Sequence, residues 1–209
     1  MTPYPSLPDK TALRRQLRAA RNAVSDTARR HAAHALVRRA LDVRLLARKR
    51  RLGFYIPAKG EIDCLPLIDR ALWMGAACYL PVVPKARGRR LWFTRLSGAP
   101  HWRLNRYGIA EYGHRGVARR RAGHLDIVFM PLLGFDDRGF RMGMGGGYYD
   151  SSLAFLHRRR HWHAPRLIGL AFEAQHLERL PEDPWDVPLD GVITEQRYYR
   201  FSNGNVARG

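Results

Sequence analysis

The residues best able to do chemistry stand together in Arg141-Met142-Gly143-Met144-Gly145-Gly146-Gly147-Tyr148-Tyr149-Asp150. Glycines carry no Cβ, so backbone N–H groups can converge on an anion and the chain can take positive φ. Arg141 offers a fixed, forked charge that matches phosphate. Asp150 offers anionic oxygen to a hard cation such as Mg²⁺. Together they describe a cradle for the phosphates of a nucleotide. No Gly-Lys-Ser/Thr follows, so this is not a Walker-type loop. In a G-x-G-x-x-G register read from Gly143, the last glycine would fall on Tyr148. Spacing alone leaves a structural turn open beside phosphate binding, because glycine clusters serve both.

The elements around the stretch decide where such a loop would sit. Residues 125–130 are a short apolar run suited to a buried parallel strand, and Pro131 stops it. A helix is expected over 149–157. The loop therefore follows a strand and precedes a helix, the place where open α/β sheets bind ligands and helix N-termini favour anions. Strands are also expected over 52–56, 76–83, 91–96, 167–172 and 192–194, with a helix over 65–74 that has Pro66 near its start and Gly75 at its stop. Two helices open the chain. Asp9 can cap the first, with Leu13, Leu17 and Ala20 on its apolar side. Ser25 can cap the second, with Ala28, Ala32, Ala35, Leu36 and Ala40. Their other faces carry Lys10, Arg14, Arg18, Arg21, Arg29 and Arg30. Residues 97–123 read as a long polar region. Strands alternating with helices imply an α/β fold, a mostly parallel sheet flanked by helices in a Rossmann-like three-layer arrangement. One domain over 1–209 is expected, with 202–209 a loose tail and no internal repeat.

Composition bounds the partners. Hydrophobic residues make up 45 % of the chain, enough for a sizeable core, and the net charge is +19 with a pI of about 11.1. Such a balance attracts nucleic acid, acidic membranes or small polyanions. The arginine runs at 48–51, 119–121 and 158–160 read either as solvated surface, as a nucleic-acid footprint or as steering for an anionic substrate. Cys64 and Cys78 are too few and too isolated for a disulfide scaffold or a zinc site. Residues 1–9 hold no apolar secretory core, and no stretch has the length of a membrane span, so a cytoplasmic protein is expected.

Read as a whole, the chain resembles the 5-formyltetrahydrofolate cyclo-ligase (5,10-methenyltetrahydrofolate synthetase) family. The resemblance is carried by Asp126-Ile127-Val128-Phe129-Met130-Pro131, Gly134-Phe135-Asp136 and the stretch from Arg141 to Asp150. Further pieces are Lys10-Thr11-Ala12-Leu13-Arg14, Gly60-Glu61-Ile62-Asp63, Tyr107-Gly108-Ile109-Ala110-Glu111, Gly169-Leu170-Ala171-Phe172, Gln175, Leu180-Pro181 and Trp185-Asp186-Val187-Pro188-Leu189-Asp190. Three positions depart from the family pattern: Ser151 where arginine is common, Tyr112 for a proline, and Trp185 for a histidine or other polar residue.

The resemblance implies ATP-dependent closure of 5-formyltetrahydrofolate to 5,10-methenyltetrahydrofolate, with Mg²⁺ as cofactor and ADP and phosphate as products. It implies that ATP phosphorylates the formyl oxygen and that the folate N10 nitrogen then attacks. Lys10, Arg14, Arg141, Met142, Gly143, Met144, Gly145, Gly146, Gly147, Tyr148 and Tyr149 would bind the nucleotide, with Arg141 also catalytic. Ile56, Glu61 and residues Met144 to Tyr148 would line the folate site. Asp150 and Asp186 would hold Mg²⁺, a pairing that rests on resemblance alone. The expected partners are ATP and 5-formyltetrahydrofolate, with or without a polyglutamate tail. No specific nucleic acid and no membrane are expected, and the protein would be a monomer. Two alternatives stand beside this: a basic nucleic-acid-binding protein, and a nucleotide-binding α/β protein without folate chemistry.

Overall fold

The computed structural model describes residues 9–58, 60–84, 88–97, 102–113, 119–158 and 164–201. The expected tail at 202–209, the first eight residues and most of the 158–160 run lie outside them.

Both opening helices start where side-chain oxygens replace missing backbone partners. The Asp9 carboxylate accepts from the Thr11 N–H at 2.9 Å and begins α1 (Lys10–Asn22). The Ser25 hydroxyl accepts from the Ala28 N–H at 3.3 Å and begins α2 (Asp26–Asp42). Then come β1 (Arg51–Gly53), α3 (Leu65–Trp73), β2 (Ala77–Val82) and β3 (Trp92–Arg95). The region expected to be irregular holds a hairpin of β4 (Trp102–Leu104) and β5 (Ala110–Tyr112), then the short β6 (Arg119–Arg120). Next are β7 (Ile127–Pro131), a second hairpin of β8 (Gly134–Asp136) and β9 (Arg141–Met142), and α4 (Tyr148–Leu153). The chain ends through β10 (Arg166–Leu170), β11 (His176–Leu177), β12 (Gly191–Ile193) and β13 (Tyr198–Arg200).

The main sheet has the order β13-β12-β10-β7-β1-β2-β3-β6. From β12 to β2 neighbours run parallel; β13, β3 and β6 are antiparallel additions at the edges. Alternate residues of the central strands point to opposite faces. Ile127, Phe129, Ile168 and Leu170 join Ala32, Leu36 and Ala40 of α2 and Leu67, Ile68 and Ala71 of α3 in one core. Val128, Met130 and Leu167 join Leu153 of α4 in a second core across the sheet. Burial on both faces explains why the strand at 125–130 reads as a continuous apolar run. The mostly parallel, helix-flanked α/β sheet is therefore what the pattern implied.

α1 lies apart from those layers. Its Leu13 and Leu17 pack on Leu133, Met142 and Leu180 in a third cluster, over the small sheet β11-β8-β9. A Cβ on Gly134 would come within 2.7 Å of Leu17. This packing sets the helix beside the glycine-rich stretch.

The turn feeding that stretch hangs on Asp136, which is fully buried. Its carboxylate accepts from the N–H groups of Phe140 at 2.9 Å, Arg138 at 3.1 Å and Leu180 at 3.0 Å, and from the Arg138 guanidinium at 2.8 Å. Asp136→Ala would strip these donors at once. The expected cost is about 3 kcal/mol or more, or roughly 10 °C of melting temperature for a chain this size. A thermal melt checks this, and an unchanged midpoint would show that the turn does not depend on Asp136.

Three local expectations are corrected. β1 ends at Gly53, and residues 54–56 run on beyond it as loop. The helix after the glycines is α4 followed by a 3₁₀ turn, Ala154–Arg158. There the Ser152 hydroxyl donates to the Tyr148 carbonyl at 2.6 Å and accepts from the Leu91 N–H at 2.8 Å, a competition that favours tightening. Several opening-helix side chains also change place. Ala28 is exposed and Ala33 buried. Arg21 is 2 % exposed, and Arg29 lies over the Phe172 ring at 5.1 Å.

Other arginines are likewise engaged inside the fold. Arg51 holds Asp126 at 2.5 Å, Arg50 donates to the Arg44 carbonyl at 2.8 Å, and Arg121 covers the Trp92 ring at 3.4 Å. Part of the +19 charge thus serves packing. Both cysteines are buried, and burial pushes the Cys78 thiol up to about 12, so neither is a nucleophile at neutral pH.

Candidate functional site

From β1 the chain steps through α3 to β2 on one side, whereas β7, β10 and β12 are laid down successively on the other. The direction reverses between β1 and β7, and the crevice beyond the carboxyl ends of those strands is where a doubly wound sheet binds its ligand. β1 delivers Ile56 and Glu61 there. β7 delivers the β8–β9 hairpin and the glycine loop.

The first wall is tightly braced. The Tyr55 hydroxyl donates to the Ile62 carbonyl at 2.9 Å, and the Cys64 thiol to the Tyr55 carbonyl at 3.3 Å. Glu61 accepts from the Ala58 N–H at 2.9 Å. Burial pushes the Glu61 carboxyl above its ordinary range, opposed by that N–H and by Arg21. Gly60 takes φ +86°, and a Cβ there would meet the Asn22 side-chain oxygen at 2.4 Å. Ile56 is half-buried at the edge of the first core.

The second wall is the glycine loop. Residues Gly143, Met144, Gly145 and Gly146 are exposed, and Gly145 (φ +96°) and Gly147 (φ +65°) adopt the backbone that side chains rarely reach. The Met142 side chain is buried against Leu13 and Leu17, so its main chain is the part able to face a ligand. α1 contributes from above. Arg14 donates from Nε to the Gly143 carbonyl at 3.3 Å, and Lys10 pairs with Asp183 at 2.5 Å.

Beneath the loop, the Arg141 side chain is only 6 % exposed. Its guanidinium pairs with Asp150 and donates to the Val187 carbonyl at 2.7 Å. That second bond ties down the segment carrying Asp186. Asp186 accepts from the Asp183 N–H at 2.8 Å. Burial pushes its carboxyl up, the Asp150 charge pushes it further, and Lys10 opposes both. The two aspartates, far apart in sequence, thus lie in each other's field.

Tyr149 stands between the walls. Burial pushes its phenol up, the charge of Glu61 adds to that, and Arg141 opposes it. Tyr148 lies outermost: Arg106 donates to its hydroxyl at 2.8 Å, and the Tyr107 hydroxyl is 2.7 Å away.

The carboxylates divide by environment. Glu182 is held below its ordinary range by Arg138, and Asp126 is held low because its bonds to Arg51 outweigh burial. Glu61 and Asp186 are held high. Carboxylates held at an electrostatic disadvantage in a cleft are candidates for a functional site. For a metal, the donor set suits Mg²⁺. Among the described residues no cluster of three potential ligands forms, but Mg²⁺ commonly takes one or two carboxylates and completes its shell with phosphate and water. Asp150, which pairs with Arg141, and Asp186 are the carboxylates that could serve in that way.

Some residues that carry the resemblance prove structural. Buried Glu111 accepts from the Val83 N–H at 2.7 Å and pairs with Arg103 at 3.2 Å. Gln175 bonds the Phe172 N–H and the Leu132 carbonyl, each at 2.8 Å. Sequence reasoning missed Asp183 and Arg106, which have no motif of their own. It also missed the burial of Arg21, although its spacing of four from Leu17 and eight from Leu13 continues the apolar stripe of α1.

The chain is similar to known proteins of one family. The model of the 5-formyltetrahydrofolate cyclo-ligase family matches residues 6–195. A Haemophilus influenzae protein named 5-formyltetrahydrofolate cyclo-ligase is 32 % identical over 184 residues, covering 87 % of this chain and 95 % of the relative. An Escherichia coli protein of the same name is 30 % identical over 152 residues, covering 72 % and 80 %. The NMR structure of 5,10-methenyltetrahydrofolate synthetase from Aquifex aeolicus superposes with a TM-score of 0.76 at 28 % identity, covering 96 % of each chain.

Proposed function

The chain belongs to the 5-formyltetrahydrofolate cyclo-ligase family, and from that membership we propose that it closes 5-formyltetrahydrofolate to 5,10-methenyltetrahydrofolate at the expense of ATP, with Mg²⁺, releasing ADP and phosphate. The observation that carries the reading is the placement of the Glu61 loop after β1 and of the glycine loop downstream of β7, the two neighbouring strands at the switch of strand order. One crevice thus offers a carboxylate for a donor-rich ring edge and a glycine cradle for phosphates.

The formyl oxygen is a poor leaving group. Transfer of the terminal phosphoryl of ATP to it makes a good one. N10 then forms the C–N bond and loses its proton, and the C–O bond breaks as phosphate leaves. Such phosphoryl transfer depends mostly on positioning and charge neutralisation. Glu61 and Ile56 hold the folate; Lys10, Arg14 and the N–H groups of residues 143–147 hold the nucleotide. Arg141 keeps Asp150 and the Asp186 segment in place beneath them. Asp150 and Asp186 would hold Mg²⁺, which would supply neutralisation of phosphate charge. The protein works as a cytoplasmic monomer in this reading; no helix of the described residues is long and apolar enough to cross a membrane.

The test is direct. Pure protein mixed with 5-formyltetrahydrofolate, ATP and Mg²⁺ is expected to develop the absorbance of the methenyl product, and to show none when ATP or metal is withheld. A folded chain that makes no product with every component present would overturn the proposal.

A further inference from the structure

α1 carries three cations on one stripe. Lys10 and Arg14 stand at its exposed start beside the glycine loop. Arg21 follows roughly 16 Å further along the axis, at 1.5 Å per residue, in the last turn. There it enters the protein beneath the first wall. Its guanidinium lies 4.0 Å from the Glu61 carboxylate, with side chains 2 % and 9 % exposed.

The surroundings hold that pair in place. Arg29 donates to the Arg21 carbonyl at 2.6 Å, to the Val24 carbonyl at 2.9 Å and to the Gly60 carbonyl at 3.0 Å. One side chain therefore clamps the frayed end of α1, where carbonyls lack helical partners, to the residue just before Glu61. The close approach of Gly60 to Asn22 locks the same junction.

We propose that Arg21 is a positioning residue that acts through Glu61, supplying inside the protein the positive charge that keeps this carboxylate an oriented anion for the folate. The inference rests on the reading of Glu61 as a folate-binding group. It makes α1 a strut serving both ligands, nucleotide at one end and folate at the other.

Among the described residues, the other groups whose fields meet here do not replace that charge. Tyr55 and Cys64 on the loop are buried and Tyr149 on α4 partly so, which pushes all three up and keeps them neutral at physiological pH. Asp63 is acidic. Arg18 and Arg29 bear on Arg21 rather than on the carboxylate. A buried carboxylate without a nearby cation takes up a proton rather than remain charged. A protonated Glu61 would present a hydroxyl donor to a donor-rich ring edge, the wrong partner.

The test titrates the carboxyl carbons of glutamate-labelled, ligand-free protein by NMR, with the Glu61 signal identified by its loss in Glu61→Gln. In the unaltered chain Glu61 is expected to be ionised at pH 7; a protonated signal there overturns the proposal whatever the variants do. In Arg21→Met the midpoint is expected to move to higher pH, and in Arg21→Lys to return toward the original. A midpoint unmoved in Arg21→Met overturns it. The affinity for 5-formyltetrahydrofolate is then measured against pH. Arg21→Met is expected to weaken it about ten-fold at the acid end, the loss shrinking as pH rises and Glu61 ionises. A loss equal at every pH would mean that Arg21 is only structural. Because the carboxyl titration needs no ligand, it answers for Arg21 even if the unaltered chain fails to bind 5-formyltetrahydrofolate, the result that would instead overturn the functional reading.

Discussion

Replacing Arg141 with alanine is expected to lower kcat/KM for ring closure by about 100-fold or more. The side chain makes two bonds that no neighbour can replace, one to the Asp150 carboxylate and one to the Val187 carbonyl. A hydrogen bond to a charged group is worth about 1.5–3 kcal/mol, and each 1.4 kcal/mol is a factor of ten in rate. The damage would also spread. Without the guanidinium, Asp150 loses its partner, and the segment holding Asp186 loses its tie to β9. Arg141→Lys keeps a charge near Asp150 but lacks the fork that reaches Val187 as well, so partial recovery is expected. Steady-state kinetics with a parallel melt check this. Asp136→Ala serves as the contrast: it should lower the melting temperature yet leave the turnover of folded protein at 20 °C nearly unchanged, because it braces the turn from behind. A rate within two-fold of the original in Arg141→Ala would remove Arg141 from the working site.

Much of this arrangement was legible in the sequence, for definite reasons. The caps Asp9 and Ser25 could be read because an oxygen at that position satisfies a donor the helix leaves open. The strand at 125–130 could be read because burial on both faces removes alternation. The place of the glycine loop just before a helix, α4, could be read, but the β8–β9 hairpin that separates it from the strand ending at Pro131 could not. What failed to show were features decided by contacts distant in sequence. The strands β4, β5 and β6 are two or three residues long, too short for any periodicity to register. Arg21 and Arg29 were assigned by residue type to outer faces, yet a buried carboxylate and an aromatic ring, both remote in sequence, draw them inward. The pairing of Asp150 with Asp186 is of the same kind. Only the fold brings Asp150 and the segment carrying Asp186 to the same arginine, Arg141, which bonds Asp150 and the Val187 carbonyl.

The last expected result separates the two walls. Glu61→Gln keeps the size of the side chain and an oxygen for the Ala58 N–H, but removes the charge that faces Arg21. Affinity for 5-formyltetrahydrofolate should fall by about 10- to 100-fold, the loss of one charge-assisted bond, while MgATP binding stays within a few-fold. Asp150→Asn should do the opposite. Its amide oxygen can still accept from Arg141, so the loop should keep its shape, but a neutral carbonyl is a poor substitute for a carboxylate at a hard cation. The Mg²⁺ concentration for half-maximal rate should rise about ten-fold or more, and folate binding alone should change little. Asp186 gives a second sign of the same event. Its carboxyl is pushed up by burial and then by the Asp150 charge. Removing that charge should let Asp186 ionise at lower pH, so the loss of metal affinity in Asp150→Asn should shrink as pH falls into the range where Asp186 takes up its proton. Calorimetric titration of each variant with each ligand separately reads all of this. An unchanged metal dependence in Asp150→Asn, together with lost ATP binding in Glu61→Gln, would mean that the walls are assigned the wrong way round, even in a chain that closes the folate ring.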